Sequence, residues 1–220
     1  MMAARGRPAG VKQQGTRTHG ILILLSRVSE SATREESTVS EPKKIWYRLR
    51  GALIVPFYLF ALFYNQGESN SPWIVHPTGT VFFMLGLGLR FWAQMHLHYR
   101  LKTHKTLTLT GPYLYVRNPI YIGNTLILVG ITVLADLLWF VPVMLIACGF
   151  TYHMTVLYEE GHLTRKYGQG YVVFLDKIPR WLPHLRPGQD APAVSTRSYF
   201  LPSVVAELHI LLLLVPLFFS

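Results

Sequence analysis

Gly111-Pro112-Tyr113-Leu114-Tyr115-Val116-Arg117-Asn118-Pro119-Ile120-Tyr121-Ile122-Gly123 is the stretch on which the reading of this chain turns. It packs an arginine, three tyrosines and two prolines into a turn that opens directly into an apolar run. Pro119 fixes its own φ and pushes Asn118 toward an extended conformation, so a helix can begin at Pro119 but cannot run through from Asn118. The first free N–H groups of that helix then sit beside Arg117, an arrangement that favours an anion.

Working outward, the apolar runs come in lengths suited to a bilayer. Candidate spans cover Trp46–Tyr64, Trp73–His96, Pro119–Leu134, Leu137–Leu157 and Leu201–Phe219. Each approaches the roughly 20 residues that cross a hydrocarbon core, the third being short. Glu207 and His209 would suit an interfacial helix in the last of them, but the unbroken apolar run 210–219 favours a span. Half of the 220 residues are apolar, 15% are charged and the mean hydropathy is positive, a profile of a small polytopic membrane protein. The expected fold is therefore an all-α polytopic membrane helix bundle with about five transmembrane helices. A disordered tail over 1–42, a core over 43–198 and a C-terminal transmembrane helix over 199–220 complete the organisation. The net charge of +10 invites a nucleic-acid reading. The basic residues, however, are interleaved with apolar runs, and no zinc-finger or RNP-like pattern accompanies them. The single cysteine, Cys148, excludes an internal disulfide and reads as a small core hydrophobe.

Charge sets the orientation. Lys43, Lys44, Arg48 and Arg50 begin the first span, and the loop 65–72 that follows it has no Lys or Arg. Arg100, Lys102 and Lys105 follow the second span, while Arg165, Lys166, Lys177, Arg180 and Arg186 follow the fourth. The positive-inside rule puts the N-terminus and the segments 98–118 and 159–198 in the cytoplasm, and the C-terminus outside. The third and fourth spans form a hairpin about Ala135-Asp136, so Glu159 and Glu160 return to the depth of Arg117 and Asn118. Two adjacent carboxylates ending an apolar helix oppose its dipole and call for a nearby cation. Arg117, Arg165 or Lys166 could supply it, as could a ligand.

These blocks resemble the integral-membrane methyltransferases, the isoprenylcysteine carboxyl methyltransferases and their phospholipid methyltransferase relatives. The turn resembles their GPYxxVRHPxYxG signature. Glu159-Glu160, Leu163, Tyr167-Gly168, Tyr171 and Pro179-Arg180 resemble an EExxLxxxFGxxYxxY…PRxxP block, with Tyr167 standing where Phe is usual. A third element, Gly86-Leu87-Gly88 ahead of Arg90, is similar to the GxG of the phospholipid enzymes, although a lone GxG in a membrane helix more often marks close packing. An arginine within a span is a functional-site candidate, with snorkelling as its plain alternative. The resemblance covers about 52–183. It implies S-adenosylmethionine as cofactor, held in a cytoplasmic cofactor cavity, with Gly86, Gly88, Tyr113, Val116, Arg117, Asn118, Pro119, Tyr121, Glu159, Glu160 and Tyr171 as the residues that bind it. It also implies a lipophilic or prenylated acceptor drawn from the bilayer. His96, His98 and His104 lack zinc-ligand spacing and read as solvated interfacial histidines, so no metal is expected. Tyr47, Trp73 and Trp139 read as interfacial aromatics.

The chemistry fits these residue types. A sulfonium is already an activated leaving group, so the protein must chiefly align donor and acceptor and exclude water. An arginine at a helix N-terminus suits the cofactor's carboxylate, and Glu159 or Glu160 suits its ammonium or hydroxyls. Asn118 departs from the family's His: it can hydrogen-bond but cannot titrate near neutrality. Methylating a carboxylate needs no general base, whereas methylating an amine does. The substitution therefore favours a carboxylate acceptor, with Arg180 or Arg90 as its clamp. Three rival readings stand beside this one: a phospholipid amine N-methyltransferase, a non-catalytic relative of the same fold, and a sterol-type reductase, which resembles this chain in its RxPxY turn.

Overall fold

The computed structural model describes residues 45, 47–64, 72–99, 107–187 and 195–211, and the tail 1–42, the charged residues of 100–106 (His104 among them) and the last part of the fifth candidate span lie outside them. Among the described residues every regular element is helical: α1 over 47–63, α2 Pro72–Tyr99, α3 Pro119–Leu134, α4 Val141–Tyr167, α5 Gln169–Lys177 and α6 Phe200–Leu211. Two stretches, Pro72–His98 and Leu138–Tyr167, are long and apolar enough to cross a membrane, and α3 is a shorter apolar helix. Part of their apolar surface faces outward. Val81, Met84, Leu85 and Trp92 of α2 and Leu145, Ile146 and Phe150 of α4 are exposed, as lipid-facing side chains would be and as those of a buried core helix would not.

α3 runs over the expected residues and starts at Pro119, with Asn118 at its N-cap. α4 departs from expectation. It continues ten residues past Leu157 to Tyr167, so Glu159 and Glu160 lie two turns inside the helix and do not end it. The stop comes at Gly168, whose φ of +57° is open to glycine, while Arg165 and Lys166 occupy the last turn where cations suit the dipole. The α3–α4 connection is tight: Asp136 adopts φ +60° and a 3-10 turn over Leu138–Phe140 leads into α4.

α2 and α3 pack antiparallel through two glycine pairs spaced seven residues apart on each helix. A Cβ at Gly86 would lie 2.6 Å from the Gly123 carbonyl, and one at Gly130 would lie 2.6 Å from the Phe83 amide. Small residues permit this approach, which is how helices without a hydrophobic driving force between them gain van der Waals contact. Around the seam, Leu62 of α1, Phe83 of α2, Ile127 and Ile131 of α3 and Ile210 of α6 form one core cluster. Ile54, Leu128, Met144, Cys148 and Tyr152 belong to a second that joins α1, α3 and α4, and Cys148 is fully buried there.

Candidate active site

The turn before α3 is built by its own sequence. Gly111 takes φ +60° against the imidazole of His96, whose nearest atom would lie 2.4 Å from any Cβ, so both conformation and space require glycine. His96 Nδ1 lies 3.0 Å from Thr110 Oγ1, so this histidine braces the turn and is not the solvated residue expected. The turn is stitched to the segment after α5: the Arg117 amide donates to the Pro179 carbonyl at 2.9 Å and the His184 amide to the Tyr115 carbonyl at 3.0 Å. Asn118 Nδ2 donates to the Arg180 carbonyl at 3.3 Å. Asn118 thus holds two chain segments together, a task that needs no titrating group.

A cavity of about 440 Å³ opens at this junction. Its volume lies within the roughly 300–1,000 Å³ of small-molecule and cofactor sites. Tyr113, Arg117, Asn118, Pro119, Tyr121, Glu159, Glu160 and Tyr171 line it, together with Tyr47, Tyr158 and His162. The equal-depth argument from the hairpin is therefore realised in one wall, where Arg117 faces the two glutamates. Ile122 is the first α3 amide to find an acceptor before the helix ladder, the Asn118 carbonyl at 3.3 Å, so the amides of Ile120 and Tyr121 come before it at the cavity edge.

The two glutamates have different partners. Glu160, buried, receives Arg117 Nη1 at 3.0 Å and is chelated by Arg180 through Nε at 3.1 Å and Nη2 at 2.5 Å. Among the described residues Glu159 accepts one bond, from the Tyr121 hydroxyl at 2.8 Å. Arg117 keeps one nitrogen, Nε, buried and without a hydrogen-bond partner among the described residues. Arg117 itself lines the cavity, where its guanidinium offers charge to an anion. Burial, with a contribution from Glu159, pushes the Tyr113 hydroxyl up. Burial and then Glu160 do the same for Tyr171. Both phenols remain neutral hydrogen-bonding walls at physiological pH.

Several expected site residues lie elsewhere. Gly86 belongs to the α2–α3 seam, and Gly88 is exposed with nothing within 4 Å of a Cβ, so neither glycine lines the cavity. Val116 is buried beneath the turn. Arg90, expected as an acceptor clamp, is held by Glu207 of α6 at 2.7 and 3.1 Å and bonds Asn124 of α3. Arg180, the other expected clamp, is occupied by Glu160. The sequence reading overlooked Tyr47 as a cavity residue. Its position one turn before Arg50 on the same helix face was the available signal, and the Arg50 guanidinium indeed lies 4.1 Å from the centroid of its ring.

Residues 74–170 match the phospholipid methyltransferase family. Two curated relatives are each 25% identical over 137 residues, 60% of this chain: the cobalt-zinc-cadmium resistance protein CzcN of Cupriavidus metallidurans and the nickel-cobalt-cadmium resistance protein NccN of Alcaligenes xylosoxydans xylosoxydans. The chain spans about three fifths of the length of these relatives, 62% of each. No solved structure matches.

Proposed function

We propose, from the match of residues 74–170 to the phospholipid methyltransferase family, that the chain transfers a methyl group from S-adenosylmethionine to a lipophilic acceptor held in the bilayer. The acceptor we favour is a carboxylate, the chain is multi-pass, and its cavity faces the cytoplasm. One observation carries this reading: Arg117, the start of α3 and Glu159 all line one cavity of cofactor size.

The donor set suits the proposed cofactor. Arg117 and the first amides of α3 would receive its carboxylate, and Glu159 its ammonium. Tyr113 and Tyr171, kept neutral by burial, would wall the adenosyl portion from water. When bound, S-adenosylmethionine supplies a methyl group already activated by the sulfonium. The protein's share is alignment and exclusion of water, worth the several kcal/mol that positioning supplies. Glu160, saturated by two arginines, holds Arg117 and the 179–180 segment in place.

The family match also supports a second reading, N-methylation of a phospholipid amine, in which the amine must lose a proton and Glu159 is the cavity group that could take it. Membranes containing the chain, given S-adenosylmethionine labelled in the methyl group, distinguish the two. The favoured reading requires a lipid-soluble product whose label is released as methanol by mild base. Label retained in an alkali-stable head group supports the amine, and no transfer beyond control membranes overturns both.

A further inference from the structure

A second chamber, of about 330 Å³, lies behind the first, and Tyr121 is a wall of both. One face of α1 supplies Arg50, Gly51, Ile54, Val55 and Tyr58, a stripe at helical spacing. Ile127 and Leu128 of α3, Tyr152 of α4 and Ile210 of α6 close the other sides. Gly51 and Val55 are exposed, and a Cβ at Gly51 would meet nothing within 4 Å, so the chamber opens beside α1 toward the outer surface of the bundle. α1 and α6 both lie outside the segment 74–170 that matches the family, and they supply half of the chamber's lining.

The chamber's charges are unequal. Arg90 is neutralised by the buried Glu207. Arg50 makes no ion pair within 4.0 Å among the described residues: its Nη1 donates to the Tyr47 carbonyl at 2.6 Å and its guanidinium lies over the Tyr47 ring. Arg50 lines this chamber while Tyr47 beneath its guanidinium lines the first, which puts it where the two adjoin, and Glu159 bonds Tyr121 instead. This half-buried guanidinium, partnered by a neutral carbonyl and a ring, keeps an uncompensated charge that can receive an anion.

We infer that this chamber seats the methyl acceptor, and that Arg50 is the specificity residue that receives an anionic head group on an apolar tail. The inference rests on the methyltransferase reading for the transfer step itself, and it moves the acceptor clamp from Arg90 and Arg180 to Arg50. A carboxylate held there faces the first chamber across Tyr121. In the transfer a carboxylate oxygen bonds the methyl carbon as the carbon–sulfur bond breaks. The sulfonium and carboxylate charges cancel, leaving a thioether and an ester, and no proton moves.

The test titrates palmitate, methyl palmitate and hexadecylamine into the detergent-purified full chain, alongside S-adenosylmethionine. The wild type should bind palmitate roughly ten- to a hundredfold more tightly than the ester or the amine, the range of one charge-assisted hydrogen bond. Arg50→Gln should bring palmitate to parity with the ester and leave the affinity for the ester unchanged, which also reports that the variant is folded. Arg50→Lys should recover part of the preference. An acid-to-ester ratio unchanged by Arg50→Gln, or a wild type that binds none of the three lipids, overturns the inference. Arg50-dependent selectivity for palmitate in a protein that does not bind S-adenosylmethionine would instead remove the methyltransferase reading and leave the anion chamber standing.

Discussion

Replacing Glu160 with Gln should cost stability rather than only cofactor affinity. The Glu160 carboxylate is the shared counter-ion of Arg117, at 3.0 Å, and Arg180, at 2.5 Å, and the side chains of the three are mostly out of water. Gln keeps one acceptor oxygen but removes the charge, leaving two guanidiniums facing each other. Breaking a buried pair by neutralising one partner costs about 3–5 kcal/mol. The retained oxygen points to the lower end, near ~3 kcal/mol. At roughly 2–4 °C per kcal/mol for a chain of this size, the apparent unfolding temperature in detergent should fall by about 6–12 °C. Because such unfolding is commonly irreversible, wild type and variant are compared at one scan rate. Glu159→Gln is the internal contrast: its single bond from Tyr121 can be kept by the amide oxygen, and the expected loss is under about 1.5 kcal/mol. A Glu160→Gln protein that melts within about 2 °C of wild type, or one no less stable than Glu159→Gln, would refute the counter-ion reasoning.

Further outcomes are expected from the same geometry. Gly86→Ala, whose Cβ would meet the Gly123 carbonyl at 2.6 Å, should cost about 1–3 kcal/mol in thermal unfolding while Gly88→Ala is neutral. Arg90→Ala leaves Glu207 buried and unpaired and should destabilise by about 3–5 kcal/mol, whereas the double substitution Arg90→Met with Glu207→Leu should recover most of the loss. Tyr113 and Tyr171 have folded-state values above the ordinary phenol's, so their contribution to stability is complete below about pH 10 and is lost as pH rises toward the folded values. In an alkaline ultraviolet titration, Tyr113→Phe should therefore delete a late-titrating phenol and leave the ordinary ones in place.

The parts legible in the sequence were those written in local chemistry. Pro119 after Asn118 marks the start of α3 to the residue, and helix rise alone brings Glu159 and Glu160 back to Arg117. The end of α4 was misplaced because the apolar pattern stops near Leu157, while the backbone continues until Gly168 supplies a positive φ. The division between the glutamates was hidden, since it depends on Arg180, twenty residues away, which reaches Glu160 only because Pro179 and Arg180 are stitched to the turn at 117–118. The partner of Arg90 lies 117 residues on, in α6, and no local pattern announces it. For Gly86 the plain packing expectation for a membrane GxG was the better guide, because the glycine's open side meets α3 and not the cavity.

The central claim is that Arg117 and Glu159 grip the two charged ends of S-adenosylmethionine's amino-acid moiety. Calorimetric titration of S-adenosylmethionine into the detergent-purified chain tests it most directly. The wild type should bind, and Arg117→Ala and Glu159→Gln should each lose roughly ten- to a hundredfold in affinity, with His98→Ala unchanged. A wild type that takes up no S-adenosylmethionine, or Arg117→Ala and Glu159→Gln variants that bind it as tightly as wild type does, would contradict the claim.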